Sequence, residues 1–156
     1  MADQEQSGAE FAEPSSKLVL IVDDDGSLVD MLTMGISGQG FKVETASNAQ
    51  EAMGKLSQRA PDLIITDLMM PGGGGYDLLK ELQTGDAART PVIVATARQI
   101  DESTERMIRS EANVVEFIRK PIKMAQLYGT LHRTLKTRPP APPPRKGISN
   151  QWGPGS

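Results

Sequence analysis

The sequence predicts an α/β domain built on a five-stranded parallel sheet with helices on both faces, and three observations lead there. Leu18 to Val22, Leu63 to Ile65 and Val92 to Thr96 are short runs, apolar or β-branched throughout, as in strands buried on both faces. These runs alternate with segments whose apolar residues recur at helical spacing, the order that gives parallel strands with right-handed crossovers. The strand ends then carry a set of polar residues: Asp23, Asp24 and Asp25 after the first, Asp67 after the third, Thr96 after the fourth and Lys120 after the fifth.

Residues 1–16 hold four acids among small and polar neighbours without apolar periodicity and read as a disordered acidic arm. After the first strand, Leu28, Met31, Leu32 and Ile36 repeat at helical spacing, and Gly38 and Gly40 stop that helix. A second strand spans Phe41 to Ala46. Ser47 with Gln50 three places on resembles a capping box, followed by Ala49, Ala52, Met53 and Leu56 on one face. The central strand lies between Pro61 and the Pro71-Gly72 break, and Leu78, Leu79 and Leu82 anchor the helix around Tyr76 to Gln83. Pro91 sits where a strand start tolerates it.

The fourth helix, Asp101 to Ala112, has few apolar anchors (Ile100, Met107, Ile108), so it is expected to shift most easily. Asn113 is placed where a left-handed residue would end it. Val114 to Ile118 form the fifth strand, and Met124, Leu127, Tyr128, Leu131 and Leu135 share one face of the last helix. His132 on that helix reads as a surface residue. The expected domain is 17–138; 139–156 is a Pro-rich, extended, disordered tail in which Pro140, Pro143 and Arg145 read as part of a stiff spacer.

With 156 residues and 38% hydrophobic content the chain suffices for one core. It has no Cys, which removes disulfides, thiolate metal sites and Cys nucleophiles together and fits a reducing cytoplasm. Between 17 and 138 there are 15 Lys+Arg against 16 Asp+Glu, a near-neutral body that predicts neither a nucleic-acid surface nor a membrane contact.

In open α/β sheets ligands collect beyond the carboxyl ends of the strands, so the groups gathered there are the candidate site. Two carboxylates about 4 Å apart repel by roughly 4 kcal/mol at an effective dielectric near 20, so a cluster of them calls for a cation. Oxygen ligands alone favour Mg²⁺, which binds through one or two carboxylates and keeps other positions for water and phosphate oxygens. An ionised Asp beside such an ion, with an ammonium and a hydroxyl nearby, is equipped to attack phosphorus and form an acyl phosphate.

The residues resemble the receiver domains of two-component response regulators, the CheY-like fold, over about Lys17 to Arg138. The resemblance implies a (βα)5 flavodoxin-like architecture with strand order 2-1-3-4-5. It gives Asp23 and Asp24 the part of the Mg²⁺-binding acids, Asp67 that of the phosphoacceptor, and Thr96 that of the switch hydroxyl. Phe117 would be the switch aromatic, Lys120-Pro121 the catalytic Lys with its often cis Pro, and the backbone carbonyl of Met69 a further metal ligand. Also implied are a histidine kinase or phosphotransfer protein as donor and a protein partner on the face of the fourth helix, fifth strand and fifth helix. Such a protein is a signalling phosphoacceptor, not an enzyme with turnover. Met69 and Arg98 flank the path of the attacking water by the same resemblance, and an apolar Met there predicts a long-lived acyl phosphate, with small Ala97 leaving the phosphoryl group accessible. Gly72 to Gly75 and Asn113-Val114 depart from the family pattern, the former predicting a mobile loop.

Two rivals remain. Asp23-Asp24-Asp25 before Gly26-Ser27-Leu28 also resembles the opening motif of haloacid-dehalogenase-type phosphatases, with Asp23 as nucleophile and Asp25 as acid/base, but that reading leaves Asp67 and Lys120 unexplained. A pseudo-receiver would keep the fold as a binding module without taking up phosphate.

Overall fold

A computed structural model of the chain describes residues 11–68, 70, 74–85, 89–96 and 100–140, with the backbone alone for 74–76. Among them the order is β1 (Leu18–Val22), α1 (Gly26–Gly38), β2 (Lys42–Ala46), α2 (Ala49–Gln58), β3 (Leu63–Thr66), α3 (Gly74–Thr84), β4 (Val92–Thr96), α4 (Glu102–Arg109), β5 (Val114–Arg119) and α5 (Met124–Leu135). The strands form one parallel sheet in the order β2-β1-β3-β4-β5, as expected. Every residue of β1, β3 and β4 is buried, which is why those runs carry no polar alternation.

Side chains alternate between the two faces. Val19, Ile21, Leu63, Ile65 and Ile93 meet Leu32 and Ile36 of α1 and Leu127, Leu131 and Leu135 of α5. Leu20, Val22, Ile64, Val92, Val94 and Phe117 face the other way, against Ala52, Leu78, Leu79, Leu82 and Ile108 from α2, α3 and α4. The result is three layers, with helices on both sides of the sheet.

Several local expectations are corrected. Asn48, not Ser47, caps α2: its side chain accepts from the Glu51 amide at 2.7 Å, while the Glu51 carboxylate accepts from the Ser47 amide and hydroxyl, each at 2.8 Å. Those two bonds hold the Glu51 carboxyl below its ordinary pKa. Asn113 is not left-handed; among the described non-glycine residues only Lys136 has positive φ. Asn113 is instead buried, accepting from Gln83 Nε2 and donating to the Thr90 carbonyl at 3.0 Å, a polar bridge between α3 and the start of β4. Met107, counted among the anchors of α4, is 45% exposed, so Ile108 carries the burial of that helix with Ile100 packed beside it.

Residues 11–16 of the expected acidic arm are placed against the domain. Ala12 pairs with Thr137 in a parallel bridge, its amide donating to the Lys136 carbonyl at 2.8 Å and its carbonyl accepting from Arg138 at 3.3 Å. Pro14 is buried against Gly40, whose φ of +104 suits only glycine. His132 is likewise buried rather than on the surface. Its ring lies 5.0 Å from that of Phe41, Nδ1 is 2.7 Å from Thr137 Oγ1 and Nε2 is 2.9 Å from Gln39 Oε1. Residues 1–10 and 141–156 lie outside the described residues.

Candidate functional site

The sheet ladder places the site residues. One step beyond the paired strands, the Asp23 amide donates to the Ala46 carbonyl at 3.0 Å, the Asp67 amide to Val22 at 3.0 Å, and the Lys120 amide to Thr96 at 2.9 Å. Each side chain therefore starts from a backbone position fixed by a neighbouring strand, at the carboxyl edge where helices have not yet begun. The Lys120-Pro121 bond is cis.

Lys120 Nζ donates to Asp23 Oδ2 at 2.7 Å and to Asp67 Oδ2 at 3.3 Å, joining residues 97 and 53 positions apart in the chain. Both carboxylates are buried, whereas Asp24 is exposed beside them. Burial opposes the charge on Lys120, but the hydrogen bond to Asp23 and the charges of Asp23 and Asp67 outweigh it, so the ammonium is held above the ordinary lysine pKa. The remaining oxygen of Asp23, Oδ1, accepts from the Asp25 amide at 2.9 Å.

Asp23, Asp24 and Asp67 each present a carboxylate oxygen, all within 4.8 Å of one another. Among the described residues one ammonium stands against these three carboxylates. An all-oxygen donor set of this span matches a hard divalent cation such as Mg²⁺, whose ligands stand at about 2.1 Å and include water. The fit is therefore chemical as well as geometric. Met69, named for a backbone ligand, lies outside the described residues, as do Gly72, Gly73, Ala97 and Arg98.

Asp25 does not join the cluster. Its carboxylate caps α1, accepting from the Ser27 hydroxyl at 2.8 Å and from the Ser27 and Leu28 amides at 3.1 and 3.3 Å. The Ser27 hydroxyl and Leu28 amide bonds hold its pKa below the usual carboxylate value. The Asp-Gly-Ser-Leu order is a legible N-cap signal, so this role was open to reading from sequence.

Thr96 is fully buried at the end of β4 and stands opposite Arg119 in the β4/β5 register. Phe117, two places earlier on β5, is 5% exposed. What sequence reasoning missed is its surroundings: the guanidinium carbons of Arg109 and Arg119 lie 5.1 and 5.6 Å from its ring centroid.

Residues 19–132 match the family model described as the response regulator receiver domain. The chain is 30% identical over 118 residues to the DNA-binding response regulator MtrA of Mycobacterium tuberculosis, covering 76% of this chain and 50% of that protein. It thus spans about half the length of such relatives. Among solved structures, the chemotaxis protein CheY4 of Vibrio cholerae superposes with a TM-score of 0.69 at 28% identity, covering 76% of this chain and 98% of that one. The receiver domain of NtrX from Brucella abortus gives 0.67 at 29% identity, covering 77% and 99%. MtrA is itself a DNA-binding regulator, so the expectation that nucleic acid is no partner is not supported. Among the described residues no helix is long and apolar enough to cross a membrane.

Proposed function

The chain belongs to the response regulator receiver family, and from that premise we propose that it accepts a phosphoryl group from a histidine kinase or phosphotransfer protein onto Asp67. The observation that carries this reading is the convergence of Lys120 on Asp23 and Asp67, with Asp24 alongside. An Asp67 oxygen attacks phosphorus in line with the donor nitrogen. The P–N bond breaks, its electron pair returns to the donor imidazole, which takes up a proton, and an acyl phosphate remains on Asp67.

A carboxylate nucleophile needs no separate base. Asp23, Asp24 and Asp67 would hold a Mg²⁺ ion, which when bound supplies positive charge to the phosphoryl oxygens. Lys120, held charged between Asp23 and Asp67, exchanges its longer 3.3 Å contact for a phosphoryl oxygen as Asp67 is consumed. The Thr96 hydroxyl then turns toward the new oxygens, and Phe117 moves into the space it leaves. The α4, β5 and α5 surface is reshaped, and a protein partner that prefers one of the two states reads it.

The phosphatase reading requires Asp25 to act as a general acid with a raised pKa. Its helix-capping bonds lower that pKa instead. The pseudo-receiver reading differs only in chemistry, and one experiment separates it. Incubation with acetyl phosphate and Mg²⁺ should add one phosphoryl group by intact mass to the wild type and none to Asp67→Ala. A wild type that stays unmodified, in a folded sample, would overturn the phosphoacceptor role.

A further inference from the structure

Phe117 packs among apolar side chains of the α2–α4 face, yet two cations lie over its ring, at 5.1 Å for Arg109 and 5.6 Å for Arg119. Both distances fall inside the roughly 6 Å range of cation–π attraction. A single carboxylate holds both guanidinium groups. Glu105 Oε2 accepts from Arg109 Nε at 2.8 Å, and Glu105 Oε1 accepts from Arg119 Nη2. The Glu105 side chain is 19% exposed, while those of Arg109 and Arg119 are about half exposed.

The neighbouring pair shows that this is not a generic feature of the helix. Arg106 and Glu102 stand 4.0 Å apart with side chains 74% and 96% exposed, an ordinary solvated pair of the kind that contributes little. Glu105, by contrast, ties α4 to β5 at Arg119, the residue in register with Thr96. Movement of the Phe117 ring must either give up both cation contacts or carry the guanidinium groups along and break their bonds to Glu105.

We propose that Glu105 is a latch for the switch: by holding Arg109 and Arg119 over Phe117 it sets how often the ring leaves its resting position before any phosphoryl group arrives. The role of Phe117 rests on the receiver reading; the latch itself is a property of the resting chain. Its strength enters the equilibrium between the two ring positions, so weakening it raises the basal population of the second one and lowers the differential contribution that phosphorylation must make. Because the three charged groups are partly exposed, salt weakens it too.

The test uses the full chain with 4-fluorophenylalanine at its three Phe positions, Phe11, Phe41 and Phe117, and a Phe117→Leu variant to assign the signal. In the unphosphorylated wild type, fluorine NMR should show one dominant Phe117 environment. Glu105→Gln should raise the minor environment about fivefold, the scale of a networked ion pair, whereas Glu102→Gln should not move it. In the wild type the minor signal should also grow toward about 1 M salt, where the Debye length is only about 3 Å. An unchanged Phe117 signal in folded Glu105→Gln overturns the latch; should that variant fail to fold, a wild-type signal indifferent to salt does so. Intact mass after acetyl phosphate treatment is recorded on the same samples. Absent uptake overturns the phosphoacceptor role, while the resting ring signal alone decides the latch.

Discussion

Asp23 organises the site because its two oxygens do different work: one accepts from the Asp25 amide and the other from Lys120. The polar residues at the strand ends were legible from sequence because each directly follows an apolar run. Which acids converge was less so, since Asp23, Asp24 and Asp25 are adjacent and only the start of α1 assigns Asp25 to the helix cap. His132 was misread for a similar reason. It lies four residues after Tyr128 and three before Leu135, on the buried stripe of α5, but a polar residue on such a stripe is recognisable only once its partners are known. Burial lowers its pKa from 6.5, only partly countered by a bond to Thr137. A base with a depressed folded pKa stabilises the fold above its unfolded pKa and loses that contribution as pH falls through the folded value. Wild-type stability should therefore decline from about pH 6.5 downward, and His132→Gln should flatten that part of the curve. Denaturant midpoints measured across this range check it, and equal slopes in both proteins would remove His132 as the cause.

Between elements, the close approach of α1 and α5 depends on Gly35. A Cβ there would overlap the Tyr128 hydroxyl and come within 2.8 Å of Met124 Cε. Alanine favours an α-helix over glycine by up to about 1 kcal/mol, but overpacking costs about 1–3 kcal/mol, and the ends of Tyr128 and Met124 must both shift to make room. Gly35→Ala should therefore destabilise the domain by up to about 2 kcal/mol, read from chemical denaturation, while Gly38→Ala, with open space around its Cβ, should not. Helical periodicity revealed which residues α1 and α5 bury, but not how near the helices come. The same limit applies to residues 11–16. Their attachment to Lys136, Thr137 and Arg138 is made by backbone groups, which leave no mark in residue identity.

Across the whole molecule, the sheet was the most legible feature. Three of its five strands are apolar runs buried along their full length, and the alternation with helices restricts the topology to few choices. That parallel arrangement brings positions 23, 67 and 120 to one edge. The edge strands β2 and β5, half-buried and mixed in composition, were placed by order more than by pattern. The central proposal is that the gathered acids and Lys120 serve to charge one carboxylate. Its most direct measurement is hydride trapping of the acyl phosphate after treatment with acetyl phosphate and Mg²⁺, followed by peptide mapping. Reduction confined to Asp67, and lost when Mg²⁺ is withheld, is the predicted result. Reduction at Asp23, or none in a folded chain, would contradict it.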